Sequence, residues 1–316
     1  MLDLQLARMV AQAQAAGLPD LCDLPPQAAR GLYREILAAA DVPPADVQVR
    51  DLRMPRPAAE GGGTIGLRVY RPHAAAETLP LVVYYHGGGF VLGDLDGYDR
   101  VCRRLCEDAQ VVVASVDYRL APEHPFPAAV DDAWTALRWL AEHAVELGAS
   151  PDRLAVAGDS AGGTLAAVVA LMARDAGGPR IAFQALVYPA TAAGVEGPYP
   201  SRERHALGPT LTLRTMGYFM AHYFGPEGRA PDFRGAPVLA ADLSRLPPAL
   251  LQVAAHDPLR DEILDYASRL MAAGTEATVV EYHGLAHGFI SMGGAIGAAR
   301  LAQLQLAAAL RGALGS

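Results

Sequence analysis

Two residue types are missing outright. The 316-residue chain has no lysine and no asparagine, so all 26 of its basic residues are arginine. Without lysine there is no Schiff-base amine, no phosphate-loop lysine and no Ser-Lys dyad. Without asparagine there is no N-glycosylation acceptor. Cysteine is scarce: Cys22, Cys102 and Cys106 form an odd set with neither disulfide nor zinc spacing. Cys102 and Cys106, one helical turn apart, read as buried or half-buried thiols. No basic cluster occurs, and a net charge of −8 argues against a nucleic-acid partner. The longest apolar stretch, Leu165 to Ala173, is too short to span a bilayer. Asp3 and Arg8 interrupt the apolar N-terminus where a secretion signal would run unbroken. A cytoplasmic protein without a membrane span is expected.

What is present suffices for a large core, since 52% of residues are hydrophobic and no Gly/Ser- or Pro-rich linker divides the chain. Strands are predicted at Val47–Arg53, Ile65–Tyr70, Leu79–Tyr85, Val111–Asp117, Leu154–Ala157, Phe183–Tyr188, Ala249–Ala254 and Thr278–Tyr282. Several are continuous apolar runs, as in strands covered on both faces. Helices are predicted at Tyr98–Ala109, Ala128–Leu147, Ala161–Asp175, Glu262–Ala273 and Ile296–Leu310. This alternation describes an α/β protein with a mostly parallel eight-stranded sheet, its first two strands antiparallel, between two layers of helices.

Two regions stand outside the alternation. Residues 1–45 read as helices with Pro-rich joints, and residues 190–245 are too long for an ordinary loop. Leu213, Met216, Phe219, Met220 and Tyr223 repeat there at helical spacing, which suits either plain core or a lid over a pocket. One apparent motif is set aside: Gly61-Gly62-Gly63-Thr64-Ile65-Gly66 matches G-x-G-x-x-G but precedes a strand. No helix N-terminus follows to hold a phosphate, so the segment is a turn.

Chemistry concentrates in four places. Gly158-Asp159-Ser160-Ala161-Gly162 is a G-x-S-x-G pentapeptide between an apolar strand and a small-residue helix, which raises the Ser160 hydroxyl on a strained turn. A serine needs a base and the base an orienting acid, following in the order Ser, acid, His on such a sheet. Asp257, before Pro258 at a strand end, supplies the acid, although alone it could equally cap the next helix. Its rivals Asp261 and Glu262 fall in the first helical turn, where acids favour the helix dipole. His287, in a Gly-flanked loop after the last strand, supplies the base, with His283 as competitor. The H-x3-H spacing of the two lacks a zinc helix, so no metal is expected. His86-Gly87-Gly88-Gly89 follows the third strand and exposes backbone N–H groups, so Gly88, Gly89 and Ala161 are the candidate oxyanion donors. Tyr188, Met216, Phe219, Met220 and Phe289 are the candidate substrate-binding residues.

Together these motifs, with Tyr118-Arg119-Leu120-Ala121-Pro122-Glu123-His124-Pro125-Phe126-Pro127, resemble the hormone-sensitive-lipase-like branch of the α/β-hydrolases, also called bacterial esterase family IV. The resemblance covers essentially the whole chain. It implies a helical cap formed by residues 1–45 and an insertion at 190–245, over a catalytic domain formed by 46–189 and 246–316. It implies Ser160 as nucleophile, His287 as general base and then acid, and Asp257 as orienting acid. His86 and Glu123 would be structural supports. The expected activity is hydrolysis of short-chain acyl esters through an acyl-enzyme, with no cofactor. An amidase or peptidase using the same triad, and a non-catalytic binding protein, are the rival readings. The last strand should form a sheet edge, open to pairing with a second copy, and the resemblance also points to a homodimer.

Overall fold

The computed structural model describes residues 1–73, 78–226, 228–230 and 232–315. In chain order its strands are β1 (Gln48–Pro55), β2 (Thr64–Arg71), β3 (Leu79–Tyr85), β4 (Val112–Asp117), β5 (Ala149–Asp159), β6 (Phe183–Val187), β7 (Ala249–His256) and β8 (Ala277–Ala286). The helices are α1 (Leu4–Ala15), α2 (Pro26–Ala40), α3 (Asp99–Ala109), α4 (Ala128–Glu142), α5 (Ala161–Ala176), α6 (Pro200–Arg204), α7 (Leu213–Phe224), α8 (Arg260–Ala272) and α9 (Gly297–Leu314).

All strands join one sheet in the order β1-β2-β4-β3-β5-β6-β7-β8. β2 pairs antiparallel with β1 and β4, and every other pairing is parallel. Parallel strands linked by helices must be covered on both faces, and β3 and β6 are buried at every position. Helices α3 and α9 pack together, as do α4 and α5. The expected class, an α/β protein with a mostly parallel eight-stranded sheet, is the observed one.

Element ends differ from expectation where pairing overrides local pattern. β5 starts at Ala149 because Ala149 and Ser150 pair with Leu79 and Pro80 before a register shift; the polar Ser150–Arg153 stretch hides this in the sequence. β8 runs on to Ala286, which pairs with His256 across an irregularity. The helix expected over 128–147 stops at Glu142 and gives way to a 3-10 turn, Ala144–Leu147, closed by Gly148 at φ 70°.

The segments outside the alternation are tied to one another. Arg214 of α7 bonds Asp20 and Asp23, and the Tyr218 hydroxyl donates to the Leu24 carbonyl. The rivals of Asp257 serve here too: Asp261 accepts from Ser201 N at 2.7 Å, and buried Glu262 pairs with Arg202 at 2.6 Å. Among the described residues no helix is long and apolar enough to cross a membrane.

Candidate active site

β5 passes into α5 through a single residue, Ser160, at φ 53° and ψ −121°. That backbone is uncomfortable for any L-residue with a Cβ. The surroundings impose it: Ser160 N donates to the Val187 carbonyl at 2.9 Å, and Thr164 N donates to the Ser160 carbonyl at 3.0 Å. Strand and helix approach so closely that a Cβ on Gly162 would run into the Tyr85 carbonyl oxygen. The flanking glycines are therefore steric requirements of the turn.

The turn aims the Ser160 hydroxyl at an imidazole. His287 Nε2 lies 2.8 Å from Ser160 Oγ, and its Nδ1 lies 2.7 Å from Asp257 Oδ2. Asp257 is fully buried, and its other oxygen accepts Leu259 N at 2.9 Å, which fixes the carboxylate plane. His283 sits exposed on β8. The sequence candidates Ser160, Asp257 and His287 thus meet in one hydrogen-bonded line.

Gly88 and Gly89 follow β3 at φ 116° and 62°, and with Ala161 they line the same cavity as Ser160 and His287. None of these three backbone N–H groups donates a hydrogen bond among the described residues. A Cβ on Gly88 would strike the Leu92 carbonyl, and one on Gly89 would strike the Phe219 ring. Upstream, His86 is buried and stacks on Tyr118 at 4.3 Å; burial pushes its imidazole down to about 4, so it is neutral at physiological pH.

The cavity holds about 790 Å³. Met216, Phe219 and Met220 line it from the insertion, and Leu6, Met9 and Leu37 line it from the N-terminal helices. Tyr188 and Phe289 do not, which corrects the sequence expectation. Both are fully buried behind the histidine. The Tyr188 ring lies 4.6 Å from that of His287 and meets Phe289 edge-on at 4.8 Å, while its hydroxyl accepts Ile290 N. Tyr188 packs against His287, and Phe289 backs Tyr188.

Asp159 is a participant whose contacts the motif did not disclose. Its fully buried carboxyl accepts Tyr84 OH and Gly87 N on one oxygen, each at 2.9 Å, and Tyr98 OH at 3.0 Å on the other. Burial pushes its pKa up to about 6, against the pull of the tyrosine hydrogen bonds and of nearby His287. The available signal was an acid following directly on the apolar Leu154–Gly158 run at the end of β5.

Residues 82–291 match a family described as alpha/beta hydrolase fold. Esterase LipI of Mycobacterium tuberculosis is 45% identical over 84% of this chain and 82% of its own length. A hyperthermophilic esterase from the archaeon Pyrobaculum calidifontis superposes with a TM-score of 0.91 at 42% identity, covering 98% of each chain. An ester hydrolase from the metagenome of Lake Arreo, solved with a bipyridine phosphonate derivative, gives a TM-score of 0.92 at 40% identity over 100% of both.

Proposed function

The chain belongs to the α/β-hydrolase family, in its hormone-sensitive-lipase-like branch, and is a carboxylesterase; from that premise we propose that it cleaves short-chain acyl esters through an acyl-enzyme on Ser160. The observation that carries the reading is the Asp257–His287–Ser160 line, with contacts of 2.7 and 2.8 Å. Ser160 Oγ attacks the ester carbonyl as His287 Nε2 takes its proton. The tetrahedral oxyanion accepts the amides of Gly88, Gly89 and Ala161, each such donor being worth roughly 3–4 kcal/mol in the transition state. His287 then protonates the departing alkoxide. Water enters, gives its proton to the same nitrogen and attacks the acyl carbon, and the acid leaves as Ser160 recovers its proton. Asp257 holds Nδ1–H and stabilises the imidazolium. None of these steps calls for a metal or an organic cofactor.

Met216, Phe219 and Met220 supply an apolar wall suited to a short acyl chain. Turnover of p-nitrophenyl esters with acyl chains from two to twelve carbons should peak at the short end. Activity confined to matched p-nitroanilides would overturn the ester reading. The proposal extends to a homodimer paired along β8, a sheet edge. It also takes a cytoplasmic setting, which suits unpaired Cys22, Cys102 and Cys106. A monomeric mass in sedimentation equilibrium at micromolar concentration counts against the dimer.

A further inference from the structure

The oxyanion turn is an unusual stretch of backbone. Between residues 88 and 93, Gly88, Gly89, Phe90 and Gly93 all have positive φ, and Phe90 at 63° carries a side chain into that region. A turn of this kind holds its shape only when its surroundings over-determine it. On one side Asp159 holds Gly87 N. On the other side stands an arginine from the N-terminal helices, far from the chemistry in sequence.

Arg30 of α2 uses its whole guanidinium. Nε donates to the Val91 carbonyl at 2.8 Å, and Nη2 donates to the Ala121 carbonyl at 2.9 Å and to Glu123 Oε2 at 2.6 Å. Nη1 donates to Glu123 Oε1 at 2.9 Å and to Gln27 Oε1 at 3.2 Å. The circuit closes through the turn itself. Val91 N and Leu92 N donate back to the Gly88 carbonyl, and Ala121 N donates to the Phe90 carbonyl. Glu123 is about half exposed, its side chain retaining 52% of its accessibility, so the ion pair adds little by attraction alone. Its effect is geometric: a bidentate partner fixes the guanidinium plane, and that plane directs two other N–H groups at two carbonyls.

We propose that Arg30 is a positioning residue for catalysis, clamping the Gly88–Leu92 turn between α2 and the 118–123 segment so that the Gly88 and Gly89 amides face the oxyanion. The inference rests on reading those glycines as oxyanion donors. It couples the N-terminal helices to transition-state stabilisation, a role beyond covering the pocket. Lysine cannot substitute, because a single ammonium cannot serve Val91, Ala121 and Glu123 in one plane.

The test uses full-length Arg30→Lys and Arg30→Met, with active sites counted by a p-nitrophenyl phosphonate burst. For each, kcat and KM for p-nitrophenyl butyrate are measured per titrated site. Inhibition by a trifluoromethyl ketone, bound as its hemiketal oxyanion, is compared with inhibition by the methyl ketone of the same length. The expected result is a fall in kcat of about 10- to 100-fold, short of the roughly 10²–10³ lost with an entire donor. KM should change less than about threefold, trifluoromethyl ketone affinity should fall in parallel with kcat, and methyl ketone affinity should hold. Arg100→Ala, which unties the far end of α2 (the Ala38 carbonyl) from α3 and makes no contact with the turn, should keep its kcat per site. Unchanged kcat per site in Arg30→Met overturns the proposal. So does a loss seen only as fewer titratable sites, an equal loss for both ketones, or an equal drop in Arg100→Ala. If the wild type itself does not prefer the trifluoromethyl ketone, the oxyanion reading fails before any Arg30 variant is made.

Discussion

Replacing Asp257 by asparagine keeps the shape of the side chain and removes one charge, yet the surroundings turn that change into a tautomer switch. Leu259 N donates to Oδ1 at 2.9 Å, so the amide oxygen of the variant belongs at that position. The amide nitrogen then takes the place of Oδ2, which stands 2.7 Å from His287 Nδ1. Facing a donor, Nδ1 must accept, and the ring proton moves to Nε2, where it points at Ser160 Oγ. The imidazole can no longer take the serine proton. A wrong tautomer of this kind lowers kcat about 10⁴-fold, or roughly 5.4 kcal/mol. Flipping the amide restores the tautomer but strands Leu259 N, at about 1–3 kcal/mol. It also leaves the imidazolium without its charged partner, a further loss of about 1.5–3 kcal/mol. Even by that route the rate falls by at least about 70-fold. The assay is steady-state hydrolysis of p-nitrophenyl butyrate, with thermal melting to show that the variant is folded. A folded Asp257→Asn protein, verified by mass, that keeps more than a tenth of wild-type kcat would refute the reasoning.

Ser160→Ala and Ser160→Gly should both abolish ester hydrolysis, but glycine should be the more stable by about 1–2 kcal/mol because it alone relaxes at φ 53°; equal urea midpoints would mean the turn stores no strain. Phe219→Ala should cost about 3 kcal/mol of stability and shift the acyl-length optimum towards longer esters, and an unmoved optimum in the p-nitrophenyl series would remove Phe219 from the pocket wall. Asp159 binds its proton more tightly folded than unfolded, with a pKa of about 6 against 3.8, so its contribution is full below about pH 4 and is lost as pH rises through 6. Asp159→Asn lacks that loss, and its stability relative to wild type should improve by about 2 kcal/mol from pH 4 to 7 in urea titrations; a constant difference would contradict the buried ionisation.

The residues legible in the sequence are those whose backbone is constrained locally. Ser160 and Gly88–Gly89 sit in turns that force glycine into the chain, and Asp257 and His287 follow at strand ends in the order the sheet dictates. Edge and polar strand segments were less legible: the first residues of β5 and the far end of β8 are set by partners, not by their own alternation. Tyr188 and Phe289 lie beside the site in sequence, but apolar character does not reveal which side of an imidazole a ring occupies. Arg30 and Asp159 bond groups 91 and 72 residues away. No local pattern encodes such contacts, so only the folded chain discloses them.

Phe219 rests directly on Gly89, and this single contact joins two properties usually tuned apart. On the proposed mechanism the ring bounds the space for the acyl chain, while the glycine beneath it offers an amide to the developing negative charge. A substitution that enlarges the pocket also releases the backbone under it, so broader substrate range comes with slower turnover unless a second change restores the turn. Divergence in such an enzyme proceeds by paired steps, and a library varied at position 219 alone samples a compromise between breadth and speed.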